Sequence, residues 1–418
     1  MTNPRSAADL LLRCLSAGRE PLAVSREPSA VWNEVVDVAV REHVAPLLFK
    51  RLKESDARAC VPADAWKRLR RAYFTSGDRN TRLCRELGAV LRSLGSSGVR
   101  VIVLKGAYLA EAVYGDVALR PMCDNDLMVP RAELARAEAA LLDMGGVRRQ
   151  QPGHAAPAPG AQCEDIESDP GMAKHVLPVF IRDLAVELHW TIANPNGTAR
   201  IDAAGLWERA HPATIAGVEV LALSPEDLLL HLCLHFCYQH RLAGLRSFCD
   251  IAETINHFRG EMDWPRVAQL AREWCASRYV GLTLHLARSM LGAGVPDDVL
   301  EQLVPGGLDR RILETARESV LAQTGYSQGV PLFDLQGAHS LGDKVRLSWK
   351  KVFLSRDEMA AIYPASRDSR HLYFYNVLRL RDVIRSFGSH TLKRGLPVIR
   401  SRGRDRKVSL VNWLKEDR

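Results

Sequence analysis

The chain has no run of about 18 uninterrupted apolar residues, so nothing in it reads as a membrane-crossing helix. Its opening, MTNPRSAADLLLRCLSAGRE, has too short an apolar stretch for a signal peptide and reads as a first amphipathic helix. The 9 cysteines form no Cys-x-x-Cys pair. An odd number scattered along a long chain points to reduced thiols and a cytoplasmic setting. No internal repeat and no low-complexity tract is present. With 47% apolar and 25% charged residues over 418 positions, the chain has enough apolar surface to offset the entropy of folding, which excludes a disordered protein. A basic excess is missing from most of the chain as well. Residues 367–418 hold 14 Lys and Arg against 5 Asp and Glu, so that tail carries +9 of the overall +8 and the rest sums to −1.

The pattern along the chain is helices, then a small α/β unit, then helices again. Val31, Val35, Val38, Val44, Leu47, Leu48 and Leu52 recur at roughly helical spacing, with Pro46 expected to kink or divide that stretch. A second helix is expected from Ala63 to Leu94, closed by Gly95-Ser96-Ser97-Gly98. Val99–Leu104 and Asn125–Val129 read as strands, and Arg131–Met144 as an amphipathic helix ending at Gly145-Gly146. Gln151–Met172, rich in Pro, Gly and Ala, reads as a surface loop or lid. Strands are expected again at His175–Ile181 and Leu184–Trp190. Helices resume after Ser224-Pro225, with Asp227 completing a helix-start signal, and run to about Thr324. The expected divisions are 1–97 (helical), 98–222 (α/β), 223–330 (helical) and 331–418 (basic).

The chemistry concentrates in acids. Asp124 and Asp126 stand two apart at the start of an apolar strand, where residues i and i+2 project from one face. Two such charges are unfavourable together unless a cation neutralises them. Hard oxygen ligands suit Mg²⁺ or Mn²⁺. In Asp183-Leu184-Ala185-Val186-Glu187-Leu188-His189-Trp190, Ala185, Glu187 and His189 share a face. If that strand neighbours the first, Glu187 completes a three-carboxylate cluster. Each piece alone has an ordinary explanation, a turn or cap for Asp-x-Asp and a solvent-facing strand residue for Glu187. The combination of strand, glycine turn, helix, Asp-x-Asp strand and later carboxylate strand is more specific.

That combination resembles the uncharacterised branch of the DNA polymerase β-type nucleotidyltransferase superfamily. The residues carrying the resemblance are Leu104-Lys105-Gly106, then Arg120-Pro121-Met122-Cys123-Asp124-Asn125-Asp126-Leu127, then Glu187-Leu188-His189-Trp190. It continues through Asp227–His235, Phe248-Cys249-Asp250-Ile251-Ala252 and Met262-Asp263-Trp264. Two positions depart from the pattern: Ala107 offers no hydroxyl after Gly106, and Asn125 stands where an apolar residue is usual. The resemblance implies an α+β fold, a small mixed-sheet nucleotidyltransferase core flanked by N-terminal helices and a C-terminal helical domain. It implies transfer of a nucleoside monophosphate from a nucleoside triphosphate to an acceptor, with release of pyrophosphate. Asp124, Asp126 and Glu187 would hold Mg²⁺ or Mn²⁺, and Glu187 would assist loss of the acceptor proton. Gly106 would let backbone approach the phosphates. Lys105 and Arg120 are candidate phosphate contacts, Lys105 equally a solvated charge at a strand end. The acceptor (small molecule, sugar, peptide or protein) and the base are not legible.

His231, Cys233, His235, Cys237 and His240 crowd one helical stretch. His231 and His235, at i and i+4, could share a metal, but core histidines that hydrogen-bond explain the pattern better. His235 ranks first for a role near the nucleotide, and His189 and His175 are weaker candidates for substrate contact. Asp250 reads as a helix-face or capping acid. In the tail, His371–Arg381 leads to Arg400, Arg402, Arg404, Arg406 and Lys407, a basic run with aromatic neighbours that could bind nucleic acid or an anionic membrane surface. A solvated basic end explains it more simply. The alternative to an enzyme is a nucleotide-binding or scaffolding protein without turnover.

Overall fold

The computed structural model describes residues 4–16, 27–148, 178–193, 199–240, 242–321, 409–410 and 412–414. The expected loop at Gln151–Met172, His175 and nearly all of the basic tail lie outside the described residues. Those described up to Leu321 belong to one compact unit, and the short helical stretch near residue 410 to a second.

Four helices come first: α1 (Pro4–Leu15), α2 (Ser29–Arg41), α3 (Ala45–Glu54) and α4 (Ala63–Ser96). The helical stretch over Val31–Leu52, expected to kink or divide at Pro46, is divided into two helices. His43 takes a left-handed φ of 60° between them, and Pro46 lies in the first turn of α3, where its missing N–H costs nothing. The unit continues with β1 (Ile102–Val103), α5 (Lys105–Tyr108), β2 (Asn125–Met128), α6 (Leu134–Asp143), β3 (Val147–Arg148), β4 (Val179–Ile181), β5 (Leu184–His189), α7 (Ala203–Arg209), β6 (His211–Ile215) and β7 (Val218–Ala222). It closes with α8 (Pro225–Tyr238), α9 (Leu245–His257), α10 (Trp264–Glu273), α11 (Ser277–Leu291), α12 (Asp297–Leu303) and α13 (Arg310–Leu321). Ser224 caps α8, its hydroxyl accepting from the Asp227 N–H.

The strands form a 7-stranded sheet in the order β3-β4-β5-β2-β1-β7-β6. β2 runs parallel to β5 and β1 parallel to β7, while the other neighbours are antiparallel. The fold is therefore α+β with a mixed sheet, as the resemblance implied. β1 is shorter than the apolar run that marked it, although ladder bonds from Leu104 N–H to Asp126 O and from Leu221 N–H to Val101 O extend its pairing. The hairpin β6–β7 was not expected. Its turn needs positive φ at both Ala216 and Gly217, the geometry of a tight hairpin turn.

Two buried devices shape the segment before β2. Asn80 of α4 is fully buried, donates to the carbonyls of Val117 and Arg120, and accepts from Met122 N–H. Arg120 donates from Nε and Nη2 to the two oxygens of Asp250 on α9, each at 2.9 Å. Tyr114, just after a π-helical turn at Leu109–Val113, adds a 3.0 Å bond to the same carboxylate. Both members of the pair are buried. Such a pair is costly to break because the surviving charge loses its partner.

Two outcomes follow for stability. Asp250→Ala, which strands Arg120, should cost about 3–5 kcal/mol in urea unfolding, and the apolar double variant Arg120→Met/Asp250→Leu should cost less than that single change. Asn125 is 2% exposed and neither polar atom of its amide has a hydrogen-bond partner among the described residues, while its strand neighbour in register is Val186. Asn125→Val should therefore raise unfolding stability by about 1–2 kcal/mol in the same measurement.

Candidate active site

The parallel register of β2 and β5 sets Asp126 directly beside Glu187, with Met128 beside His189 two positions further on. Glu187 and His189 project from the same face of their strand. The imidazole Nε2 of His189 lies 2.8 Å from Asp126 Oδ1 and 3.6 Å from Glu187 Oε2. Ligand atoms of Asp126, Glu187 and His189 all fall within 4.8 Å of one another, the one group of this kind among the described residues. Adjacency of the two acidic strands is what the sequence pattern required.

The other oxygen of Asp126 faces Lys105. The bond from Leu104 N–H to Asp126 O fixes the end of β1 against the start of β2, so Lys105, opening α5, meets the carboxylate at 2.9 Å. Its Nζ is also 2.9 Å from His235 Nε2 on α8. An ammonium can only donate, so that imidazole nitrogen is the acceptor. Burial works against the charge of Lys105, but Asp126 and Asp124 outweigh it and raise its pKa. Burial likewise opposes ionisation of Asp126. The Lys105 charge and the His189 hydrogen bond overcome it and hold the carboxyl well below its usual range. Asp126 is thus an ionised acid inside the protein.

Asp124 differs. The residue immediately precedes β2 and is exposed. Loss of hydration, followed by the Asp126 charge, pushes its pKa up, only partly countered by Lys105. Asp124 lies outside the tight group of Asp126, Glu187 and His189, although its carboxyl feels the charges of both acids. Two of the three expected carboxylates, Asp126 and Glu187, thus stand together with an imidazole, and Asp124 immediately precedes the strand that carries Asp126.

Gly106 packs closely: a Cβ there would meet the Asp124 carbonyl at 3.2 Å. The close approach is to the strand that carries the acids. Arg120, expected at the phosphates, has its guanidinium committed to Asp250 inside the protein and supports the loop before Asp124. Asp250 is accordingly a buried ion-pair partner and not a helix cap. His235 is brought to Lys105. His231 is buried on the same helix, with its ring 6.1 Å from that of His235, and no group of metal ligands among the described residues includes either ring. His240, 4.6 Å from His235 between ring centres, is pushed down to about 4 by burial and by the charges of Arg246 and Lys105.

Arg246 went unnoticed in the sequence. It donates from Nη1 to the Pro121 carbonyl at 3.0 Å, and its charge counters the upward shift of Asp124. Its place two residues before Phe248-Cys249-Asp250 was the available signal, but a single arginine in a helical first turn carries little information. Two carboxylates and one imidazole grouped in this way could hold a metal ion.

No curated protein matches the chain. Among solved structures, the solution structure of the antibiotic-resistance factor ANT(2'')-Ia is similar at 16% identity and a TM-score of 0.32, over 49% of this chain and 97% of that one. No helix among the described residues is long and apolar enough to cross a membrane. The family model described as uncharacterised nucleotidyltransferase spans residues 28–292, which takes in α2 to α11 and every residue of the site, and the chain belongs to that family of nucleotidyltransferases.

Proposed function

We propose that the protein transfers a nucleoside monophosphate from a nucleoside triphosphate to an acceptor hydroxyl, in a reaction dependent on Mg²⁺ or Mn²⁺. The observation that carries this reading is the register pairing of Asp126 with Glu187, which gathers two carboxylates and His189 on one face of the sheet. Asp124, Asp126 and Glu187 would hold the cation, and His189 would orient the Asp126 carboxylate through its 2.8 Å bond. A bound divalent cation would supply charge neutralisation at the triphosphate and at the leaving pyrophosphate.

The protein's own groups do the rest. Glu187 takes the proton of the acceptor hydroxyl as its oxygen attacks the α-phosphorus. A bond from that oxygen to phosphorus forms, the bond from phosphorus to the bridging oxygen breaks, and pyrophosphate leaves. Lys105, a buried ammonium at the mouth of the acids, offers its donors to the phosphates in place of the bond to Asp126. His235 holds that ammonium from the other side. Arg246, whose charge reaches Asp124, takes the phosphate role first expected of Arg120. Gly106 keeps the helix that follows β1 tight against the Asp124 backbone.

One observation favours a second reading, a nucleotide-binding or scaffolding module without turnover: Lys105 already gives Asp126 a cationic partner. The same measurements separate the two. With α-labelled nucleoside triphosphates, Mg²⁺ and a panel of acceptors, label should pass to an acceptor, stop on addition of EDTA, and fall by about 100-fold or more in Asp126→Asn and Glu187→Gln. Mn²⁺ binding followed by electron paramagnetic resonance should weaken by about tenfold or more in the same variants. Wild-type Mn²⁺ affinity in Asp126→Asn would refute the cation assignment.

A lysine variant probes the phosphate role separately. Lys105→Met should raise the KM for the triphosphate by about tenfold or more, since a charge-assisted contact to phosphate is lost. An unchanged KM would return Lys105 to a purely structural partner of Asp126.

A further inference from the structure

α4 carries a row of arginines. Arg79, Arg82 and Arg85 follow one another at three-residue intervals, all exposed, and Arg92 continues the helix beyond them. With Arg182, at the turn between β4 and β5, they line an open groove of about 600 Å³. Glu86 and Asp183 also line it, yet none of these five arginines is in an ion pair or a side-chain hydrogen bond among the described residues. Like charges three or four apart on a helix weaken it by a few tenths of a kcal/mol per pair. A row of five arginines against two acids, with none of the arginines ion-paired among the described residues, has the character of a binding surface.

Its extent limits the ligand. From Arg79 to Arg92 the helix rises about 20 Å, so a single phosphate or sugar phosphate would meet one or two of the guanidinium groups. A run of phosphodiesters would meet them all, and planar guanidinium forks suit phosphate oxygens. Position then connects the groove with the acids. Arg182 and Asp183 lead directly into β5, the strand that bears Glu187. At the other wall, Asn80, next to Arg79, holds the loop that ends at Asp124. Arg79, at one end of the groove, also acts with Arg246 to lower the pKa of His43.

We infer that the groove is the track for a single-stranded polynucleotide acceptor, laid along α4 with its terminal hydroxyl delivered toward Glu187. This inference rests on the proposed transfer for the acceptor's role, but the binding itself is measured without nucleotide or metal, so failure of the chemistry leaves it readable.

The test is fluorescence anisotropy of a labelled 12-nucleotide single strand with the full chain in EDTA. Arg82→Glu/Arg85→Glu/Arg182→Glu should raise the Kd by about tenfold or more and flatten the salt dependence by about 2 in log–log slope, from three lost phosphate contacts at about 0.7 each. The tail variant Arg402→Glu/Arg404→Glu/Arg406→Glu should move the Kd much less. Where charge reversal disturbs folding, as read by circular dichroism, Arg82→Gln/Arg85→Gln/Arg182→Gln carries the same test with a smaller shift in the same direction. Wild-type binding in a folded groove variant would overturn the inference. So would loss of binding through the tail variant alone, no binding by the native chain, or competition by polyglutamate equal to that of unlabelled strand, which marks the groove as a site for acidic protein.

Discussion

Asp126 is an ionised carboxylate only 2% exposed, and a charge taken out of water must be met on every side by groups that replace its hydration. Its two oxygens are answered separately, Oδ1 by the His189 imidazole and Oδ2 by the Lys105 ammonium. That division sets most of the local architecture. The imidazole has to come from a strand in parallel register two residues beyond Glu187, and the ammonium from the first residue after β1. A second ring, His235, then satisfies the far side of the ammonium. The four elements meeting at this point, α5, β2, β5 and α8, bring together residues up to 130 positions apart in the chain.

The acids also need a stiff approach. The loop from Val117 to Met122 delivers Asp124 to the edge of the recess, and side chains that never reach that recess hold it in place. Asn80 meets three of its backbone groups from below, and the Arg120–Asp250 pair ties it to the helical half. Gly106 allows α5 to lie against the Asp124 carbonyl at a separation that a side chain would crowd. Precision at the carboxylates is thus a property of a buried polar scaffold.

Much of this was legible in the residues. The spacing of Asp124 and Asp126 and the shared face of Glu187 and His189 depend only on the two-residue period of a strand. The second survives because β5 is a strand, whereas Asp124 falls just before β2 and stands outside the group that Asp126 joins. The mixed sheet and flanking helices followed from the family resemblance. What escaped was partnership across distance. Nothing local tells Arg120 to choose Asp250 over a phosphate, because the two residues lie 130 positions apart and only packing of α9 against the loop brings them together. The hairpin β6–β7 escaped for a different reason: Ala216-Gly217 is a weaker turn signal than Asn-Gly, and Pro212 discourages a strand reading although an edge strand accommodates it. His189 passed as a minor candidate because one imidazole on a strand has many ordinary uses. Its place among the acids depends on the neighbouring strand.

The contacts that complete the recess, Lys105 with His235 and Arg120 with Asp250, each span 130 residues of chain. A polypeptide emerging from the ribosome therefore carries its acidic strands, with Lys105 already ahead of them, before the helices that supply His235 and Asp250 exist. Until α8 and the first half of α9 are made, Arg120 lacks its carboxylate and Lys105 its imidazole. The recess thus gains its last partners only after the whole sheet has been synthesised.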